Sequence, residues 1–286
     1  MTQERGAPPD LQERTIRDFG QQWLAYPEMG GYFASADLLA DVCGPLLGLE
    51  EVRGRRVAEI GSGQGRVVGM LLEAGAAHVV ALEPSDAFTV MQRNLREQAE
   101  RVTLLRLTGD RLPATAQLDL VFSIGVLHHI PSPGPVVRAA LAALRPGGRF
   151  LVWVYGREGN RLLLSVLLPL RAITRRLPHA VLHALVRLLD LPVRGYIALC
   201  RVLPLPMRRY FRDVIGRFGT TERRLTIYDQ LNPAYARYYT EREARSLLEE
   251  GGFADVRVHH RHGYSWTVVG TRPPARGTAS GGETPA

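Results

Sequence analysis

Between Arg56 and Tyr155 the chain alternates short apolar runs with helical stretches. Arg56–Ile60, His78–Glu83, Val102–Leu107, Leu118–Ile124 and Arg149–Tyr155 read as strands. The helical patterns lie between Gly65 and Ala74, over Ala87–Ala99 and around Pro135–Leu144. A strand followed by a crossover helix, repeated, fits a parallel sheet with helices on both faces. Beyond a long interruption come a helix at Glu241–Glu250 and strands at Val256–His262 and Ser265–Thr271. The break at Gly263-Tyr264 suits a hairpin, which makes one strand antiparallel. The expected fold is therefore α/β, a doubly wound, mostly parallel seven-stranded Rossmann-like sheet with its last strand antiparallel. At 286 residues the chain can bury such a core without staples.

The first strand runs into Gly61-Ser62-Gly63-Gln64-Gly65, and a helix starts directly after it. Glycines on alternating positions let a backbone turn tightly and approach a ligand. The helix start adds unpaired N–H groups. The dinucleotide fingerprint G-x-G-x-x-G fails here, because Arg66 stands where its third glycine belongs.

The pattern present, Glu59-Ile60-Gly61-Ser62-Gly63-Gln64-Gly65, resembles the first motif of class I S-adenosylmethionine-dependent methyltransferases. Glu83-Pro84 after the second strand, Gly109-Asp110-Arg111 after the third, Ser123-Ile124 at the end of the fourth and Pro146-Gly147-Gly148 before the fifth keep that family's order. The resemblance implies S-adenosylmethionine as cofactor and S-adenosyl-L-homocysteine as product. It implies that Glu59, Gly61, Ser62, Gly63 and Gly65 hold the methionine end. Glu83 and Pro84 then meet the ribose, and Gly109, Asp110, Arg111, Ser123 and Ile124 surround the adenine and the methyl. Taken alone, Glu83 is equally a helix-start acid and Asp110 a turn residue. Glu59 could instead pair with Arg55 or Arg56.

Methyl transfer from a sulfonium releases a neutral thioether, so it needs alignment and exclusion of water rather than a general acid. A hydroxyl nucleophile must lose a proton, and histidine suits that task. His128 and His129 follow the fourth strand, at the edge where ligands of such sheets bind. His128 is expected to face the substrate, with His129 as the alternative. The fourth motif, Ser-Ile-Gly-Val, lacks the Pro-Pro-aromatic pattern of exocyclic-nitrogen methylation. Neither Cys43 nor Cys200 is near it for cytosine C5 chemistry. Nucleic acid is therefore disfavoured on motif grounds. No metal site is expected; His179, His183, Arg187 and Asp190 read as a solvated helix face.

All 36 basic residues are arginine, and the net charge is +8. From Arg157 to Arg224 there are 14 arginines against four acids, so the basicity belongs to one segment. That segment also carries wide apolar faces at Leu162–Leu170, Leu177–Leu191 and Tyr196–Leu205. It reads as a helical lid over an apolar pocket, a homodimer interface, or a surface resting on an anionic membrane. The expected organisation is an N-terminal helical cover (1–50), a cofactor-binding core (51–156), the arginine-rich lid (157–239), a helix and hairpin completing the core (240–272) and a disordered tail (273–286). Substrate contacts are expected from Trp23, Tyr32, Tyr155, Tyr228, Asp229, Asn232, Tyr235 and Tyr239. Thr240 and Glu243 form a capping box.

The leading expectation is a cytoplasmic methyltransferase, with possible peripheral membrane contact, acting on a small or lipid-like molecule, foremost at oxygen. An RNA methyltransferase, motivated by charge alone, is the alternative. A non-catalytic cofactor-binding scaffold is the third reading.

Overall fold

The computed structural model describes residues 9–28 and 30–274. Seven strands form one sheet: β1 (Arg56–Ile60), β2 (His78–Leu82), β3 (Val102–Leu105), β4 (Leu118–Ile124), β5 (Leu144–Tyr155), β6 (Ala254–Arg261) and β7 (Ser265–Thr271). Their order is β3-β2-β1-β4-β5-β7-β6. The first five pair in parallel, and β7 runs antiparallel to both β5 and β6.

Nine α-helices accompany the sheet among the described residues: α1 (Pro9–Ala25), α2 (Ala36–Cys43), α3 (Arg66–Glu73), α4 (Ala87–Asn94), α5 (Gly134–Ala143), α6 (Arg161–Thr174), α7 (His179–Val202), α8 (Thr220–Leu231) and α9 (Glu241–Glu249). Within the N-terminal segment expected as a helical cover, the chain is helical from Pro9, and residues 1–8 lie outside the described residues. The expected tail lies outside them from residue 275 onward.

The strands alternate their side chains between two cores, as the pleat requires. Val57, Val79, Ala81 and Phe122 face α2 and α3, whereas Ala58, Ile60, Val80 and Val121 face α5 and α9. The chain winds outward from β1 to β3, then returns to start β4 on the other side of β1. That reversal opens a crevice beyond the carboxyl ends of β1 and β4, where ligands of open α/β sheets bind.

The insertion supplies a third, smaller core of Leu164, Leu167, Leu182, Val186, Tyr228 and Leu231. Helices α6 and α7 continue through Pro169 and Pro192. Their outer faces leave Leu162, Val166, Ile173, Leu188, Leu191 and Val202 more than 60% exposed. Among the described residues no helix is long and apolar enough to cross a membrane.

The face of α7 expected to be solvated is instead the seam to α1 and α8. Asp190 is 1% exposed and takes Arg223 through both carboxylate oxygens, at 2.5 and 3.3 Å, with Arg224 at 3.3 Å. His183 meets the Tyr26 hydroxyl at 3.2 Å, and His179 that of Tyr228 at 2.5 Å. A helical wheel shows the polar strip but not the polar partner that covers it. Replacing Asp190 with alanine leaves the buried Arg223 charge unpaired and is expected to cost the lid about 3–5 kcal/mol. Hydrogen exchange of α7 and α8 amides measures this directly; unchanged protection would show that the pair is not what fastens them.

Candidate active site

The glycine loop forms because β1 must turn sharply around the end of β2. The Gly61 and Ser62 amides donate to the Leu82 carbonyl at 2.8 and 2.9 Å. Gly61 and Gly63 have φ of 78° and 53°, a region that suits glycine. A Cβ on Gly61 would meet Val126 at 2.5 Å, and one on Gly63 would meet the Trp23 indole at 2.9 Å. The loop is thus closed from above by α1.

Glu83 is 5% exposed, and its carboxylate braces this loop. One oxygen accepts from the Gly63 amide at 2.7 Å and the other from the Ser85 amide at 2.9 Å. A carboxylate offers about four lone-pair sites, so each oxygen keeps capacity for a ligand hydroxyl. Burial raises the Glu83 carboxyl above its ordinary range, opposed by these hydrogen bonds.

Glu59 is 1% exposed, and its Oε2 has no partner among the described residues. Burial pushes its carboxyl up to about 8. It does not pair with Arg55, which meets Asp119 at 3.7 Å. Beside it in the same loop, Gln64 is 1% exposed with both amide atoms unpartnered among the described residues. A buried carboxyl oxygen without a partner, on an acid already steadied by the Arg66 charge, next to a buried amide without one asks for a ligand carrying both donors and acceptors. The zwitterionic end of an amino acid meets that description.

A cavity of about 610 Å³ spans the crevice and the space beneath α1 and the insertion. Of the expected cofactor residues, Glu59, Gly61, Ser62, Gly63, Glu83, Pro84, Gly109, Asp110 and Ile124 line it. Gly65, Arg111 and Ser123 do not: Gly65 starts α3 against Leu95, Arg111 points to solvent, and Ser123 is buried within β4.

The two histidines differ sharply. His129 lines the cavity, and its Nδ1 lies 2.8 Å from the Tyr235 carbonyl. A carbonyl only accepts, so Nδ1 carries the proton and Nε2 is left as the acceptor. Phe19 of α1 packs edge-on against the ring, centroids 4.6 Å apart. His128, the residue expected to face the substrate, is fully buried and off the cavity wall, between His129 and Tyr155 with ring centroids at 4.1 and 3.9 Å. Neither of its ring nitrogens has a partner among the described residues, and burial holds its pKa well below the usual imidazole value. The 3-10 turn at Leu127–His129 decides which histidine looks inward, and sequence spacing does not encode that choice.

Of the expected substrate contacts, Trp23, Tyr155 and Asp229 line the cavity. Tyr32 does not; it stacks under Arg217. Tyr228 belongs to the lid core, Asn232 donates to the Asp18 carbonyl, Tyr235 contributes its carbonyl to His129, and Tyr239 is buried beside α9 and β7. Sequence reasoning missed Gln22, Gln64, Tyr238 and Gln230. Gln22 and Gln64 adjoin residues already singled out, but a glutamine carries no motif signal of its own.

The fold is that of the class I S-adenosylmethionine-dependent methyltransferases. Residues 58–152 match a family model described as a methyltransferase domain, and the chain carries such a domain there. Over the whole molecule the fold is similar to that of Burkholderia thailandensis 1,6-didemethyltoxoflavin-N1-methyltransferase, with a TM-score of 0.53 and 16% identity, covering 96% of this chain and 93% of that one. It also resembles an O-methyltransferase family protein from Burkholderia thailandensis, with a TM-score of 0.51 and 12% identity, covering 84% of this chain and 55% of that one.

Curated relatives named tRNA U34 carboxymethyltransferase match part of the chain. The one from Pseudoalteromonas translucida is 36% identical over 114 residues, 39% of this chain and 35% of that protein. The one from Alcanivorax borkumensis is 35% identical over 124 residues, 42% of this chain and 38% of that protein. The chain thus spans little more than a third of these relatives' length. Their names overturn the expectations of a small or lipid-like acceptor and of nucleic acid as a disfavoured partner. The motif argument had excluded only two nucleic-acid reactions, exocyclic-nitrogen methylation and cysteine-dependent C5 chemistry. It did not exclude RNA.

Proposed function

We propose that the protein is an S-adenosylmethionine-dependent methyltransferase that modifies RNA. The observation that carries the acceptor class is the match of about two fifths of the chain to relatives named for tRNA modification. Exposed Arg161, Arg175, Arg176, Arg187, Arg194 and Arg201 on α6, α7 and the turn between them supply positive charge suited to a phosphate backbone.

Bound S-adenosylmethionine supplies an electrophilic methyl group on a sulfonium. Glu59 and Gln64 would hold its amino-acid end, Glu83 its ribose, and Asp110 its adenine amino group. His129 Nε2 takes the proton of the acceptor group, and the Tyr235 carbonyl keeps that nitrogen unprotonated and aimed inward. Phe19, Trp23 and the lid exclude water from the crevice.

The Glu59 carboxyl sets a pH dependence for cofactor binding. Below about 8 it must lose a proton before it can pair with an ammonium. A free α-amino group, of pKa roughly 8, must gain one above that pH. Affinity for S-adenosylmethionine is expected to peak near pH 8 and to fall on both sides. In Glu59→Gln the acidic flank should disappear. Calorimetry across pH measures this, and an acidic flank surviving in the variant would place the titrating group elsewhere.

The reaction is tested by incubating isotope-labelled S-adenosylmethionine and the protein with total cellular RNA and a whole-cell extract. Label in a nuclease-sensitive fraction is expected. Label confined to nuclease-resistant material overturns the RNA assignment.

A further inference from the structure

We infer that Gln22 and Asp229 form an acceptor-only subsite in the roof of the cavity, which takes an N–H donor of the group being modified. On the RNA reading above, on which this inference rests, that donor belongs to the edge of a nucleobase.

Gln22 lies on α1, lines the cavity and is 1% exposed. Its amide donates to Asp229 Oδ1 at 3.2 Å. A carboxylate can only accept, so the amide nitrogen must face Asp229, and the atom left over is the carbonyl Oε1. That oxygen is buried and has no partner among the described residues.

The hydroxyl and amide donors beside Asp229 are committed elsewhere, and Arg66, whose charge also acts on Asp229, gives one N–H to the Phe33 carbonyl. The Tyr155 hydroxyl donates to Asp229 Oδ2 at 2.5 Å and accepts from Gln230 Nε2 at 2.7 Å. Tyr155 therefore has no second proton to offer. What remains is the Gln22 carbonyl oxygen and the spare lone pairs of Asp229. A ligand group entering this corner must donate. A phosphate or a carbonyl would bring oxygen against oxygen, and the Asp229 charge repels an anion. Leaving such buried acceptors empty is costly, which is the usual basis of strong discrimination against an analogue lacking the donor.

Position links the subsite to the reaction. Phe19, which packs on the His129 ring, precedes Gln22 by three residues on α1, and residues at that spacing share a helix face. One turn of α1 thus carries both the packing partner of His129 and the acceptor that would orient the base.

The test uses the full-length protein loaded with S-adenosyl-L-homocysteine, so that the cofactor's own adenosine part is filled. It is titrated calorimetrically with uridine, 3-methyluridine, cytidine and N4,N4-dimethylcytidine. At least one parent nucleoside is expected to bind about tenfold or more tightly than its N-methylated counterpart. In Gln22→Leu the ratio should fall to about one, with S-adenosyl-L-homocysteine affinity unchanged. Asp229→Asn, which turns an acceptor into a mixed amide, should also erode the ratio and serves if Gln22→Leu does not fold. Equal binding of parent and methylated nucleosides overturns the subsite, as does a ratio that survives in both variants or an absence of nucleoside binding. RNA labelling judged by nuclease sensitivity is read separately. Nuclease-sensitive label with equal nucleoside binding removes the subsite alone, whereas nuclease-resistant label removes the RNA reading and the nucleobase assignment with it.

Discussion

Glu83→Ala is expected to weaken S-adenosylmethionine binding by about a hundredfold or more. The carboxylate has two tasks that fail together. It accepts from the Gly63 and Ser85 amides and so holds the glycine loop against the end of β2. Its remaining lone pairs are the natural partners of a ribose diol. Hydrogen bonds to a charged group contribute about 1.5–3 kcal/mol each. Losing two of them corresponds to roughly two to four orders of magnitude in Kd. Glu83→Gln is the informative companion. It keeps one acceptor but sets an NH₂ against a backbone amide, so its affinity should lie near that of the alanine variant. Calorimetry gives the affinities and circular dichroism verifies the fold. A Glu83→Ala protein that binds within threefold of wild type would exclude this residue from the cofactor site.

His129→Ala is expected to lower turnover by about a hundred- to ten-thousandfold while leaving cofactor affinity intact, the range ordinarily lost with a general base. The contrast with its neighbour makes the experiment specific. His128 is sealed among aromatic rings, and its removal opens a cavity in a packed interior rather than taking a base from the site. His128→Ala should therefore lower the melting temperature more than His129→Ala and leave the pH profile of the residual activity unchanged. In His129→Gln the Tyr235 carbonyl can still be satisfied, but no proton acceptor of suitable basicity remains. Burial lowers the His129 pKa, opposed by the Asp229 charge. His129 is thus neutral at pH 7, and if it is the base as proposed the acidic limb of wild-type activity should lie below the ordinary imidazole value of about 6.5. An acidic limb unchanged in His129→Gln would assign the titration to another group.

The parts of the molecule legible in the sequence are those fixed by local physics. Parallel strands buried on both faces announce themselves as apolar runs. Gly61 and Gly63 mark a turn that other residues adopt poorly, and Glu83 and Asp110 follow consecutive strands. Strand ends differ by a residue or two at Leu82 and Leu105, and β5 begins at Leu144 rather than Arg149, taking in the Pro146-Gly147-Gly148 turn, because pairing rather than hydropathy bounds a strand. What stayed hidden depends on contacts distant in sequence. Nothing near Asp190 reveals that Arg223 will cover it, or that His179 and His183 will meet a tyrosine of α8 and one just beyond the end of α1. Tyr228, Asn232, Tyr235 and Tyr239 cluster in sequence as plausible contacts. Only the path of the chain after α8 shows that they pack on the lid, on α1 or on the core instead. The choice of His129 over His128 is set by one short turn. The acceptor class is not legible in the motifs for a different reason: the absence of two nucleic-acid motifs does not imply the absence of a whole substrate type.

The indole of Trp23 lies directly on Gly63. A molecule seated along the glycine loop lies under α1, and α1 is tied to α8 through Gln22 and Asp229. A ligand proposed to lie along that loop has α1 as one wall of its way in and out, and the Trp23 indole, rather than the Gln22–Asp229 hydrogen bond, is what lies against it. On the proposed function, arrival of the cofactor and departure of its by-product are then felt by the same indole, so Trp23 fluorescence should report both events.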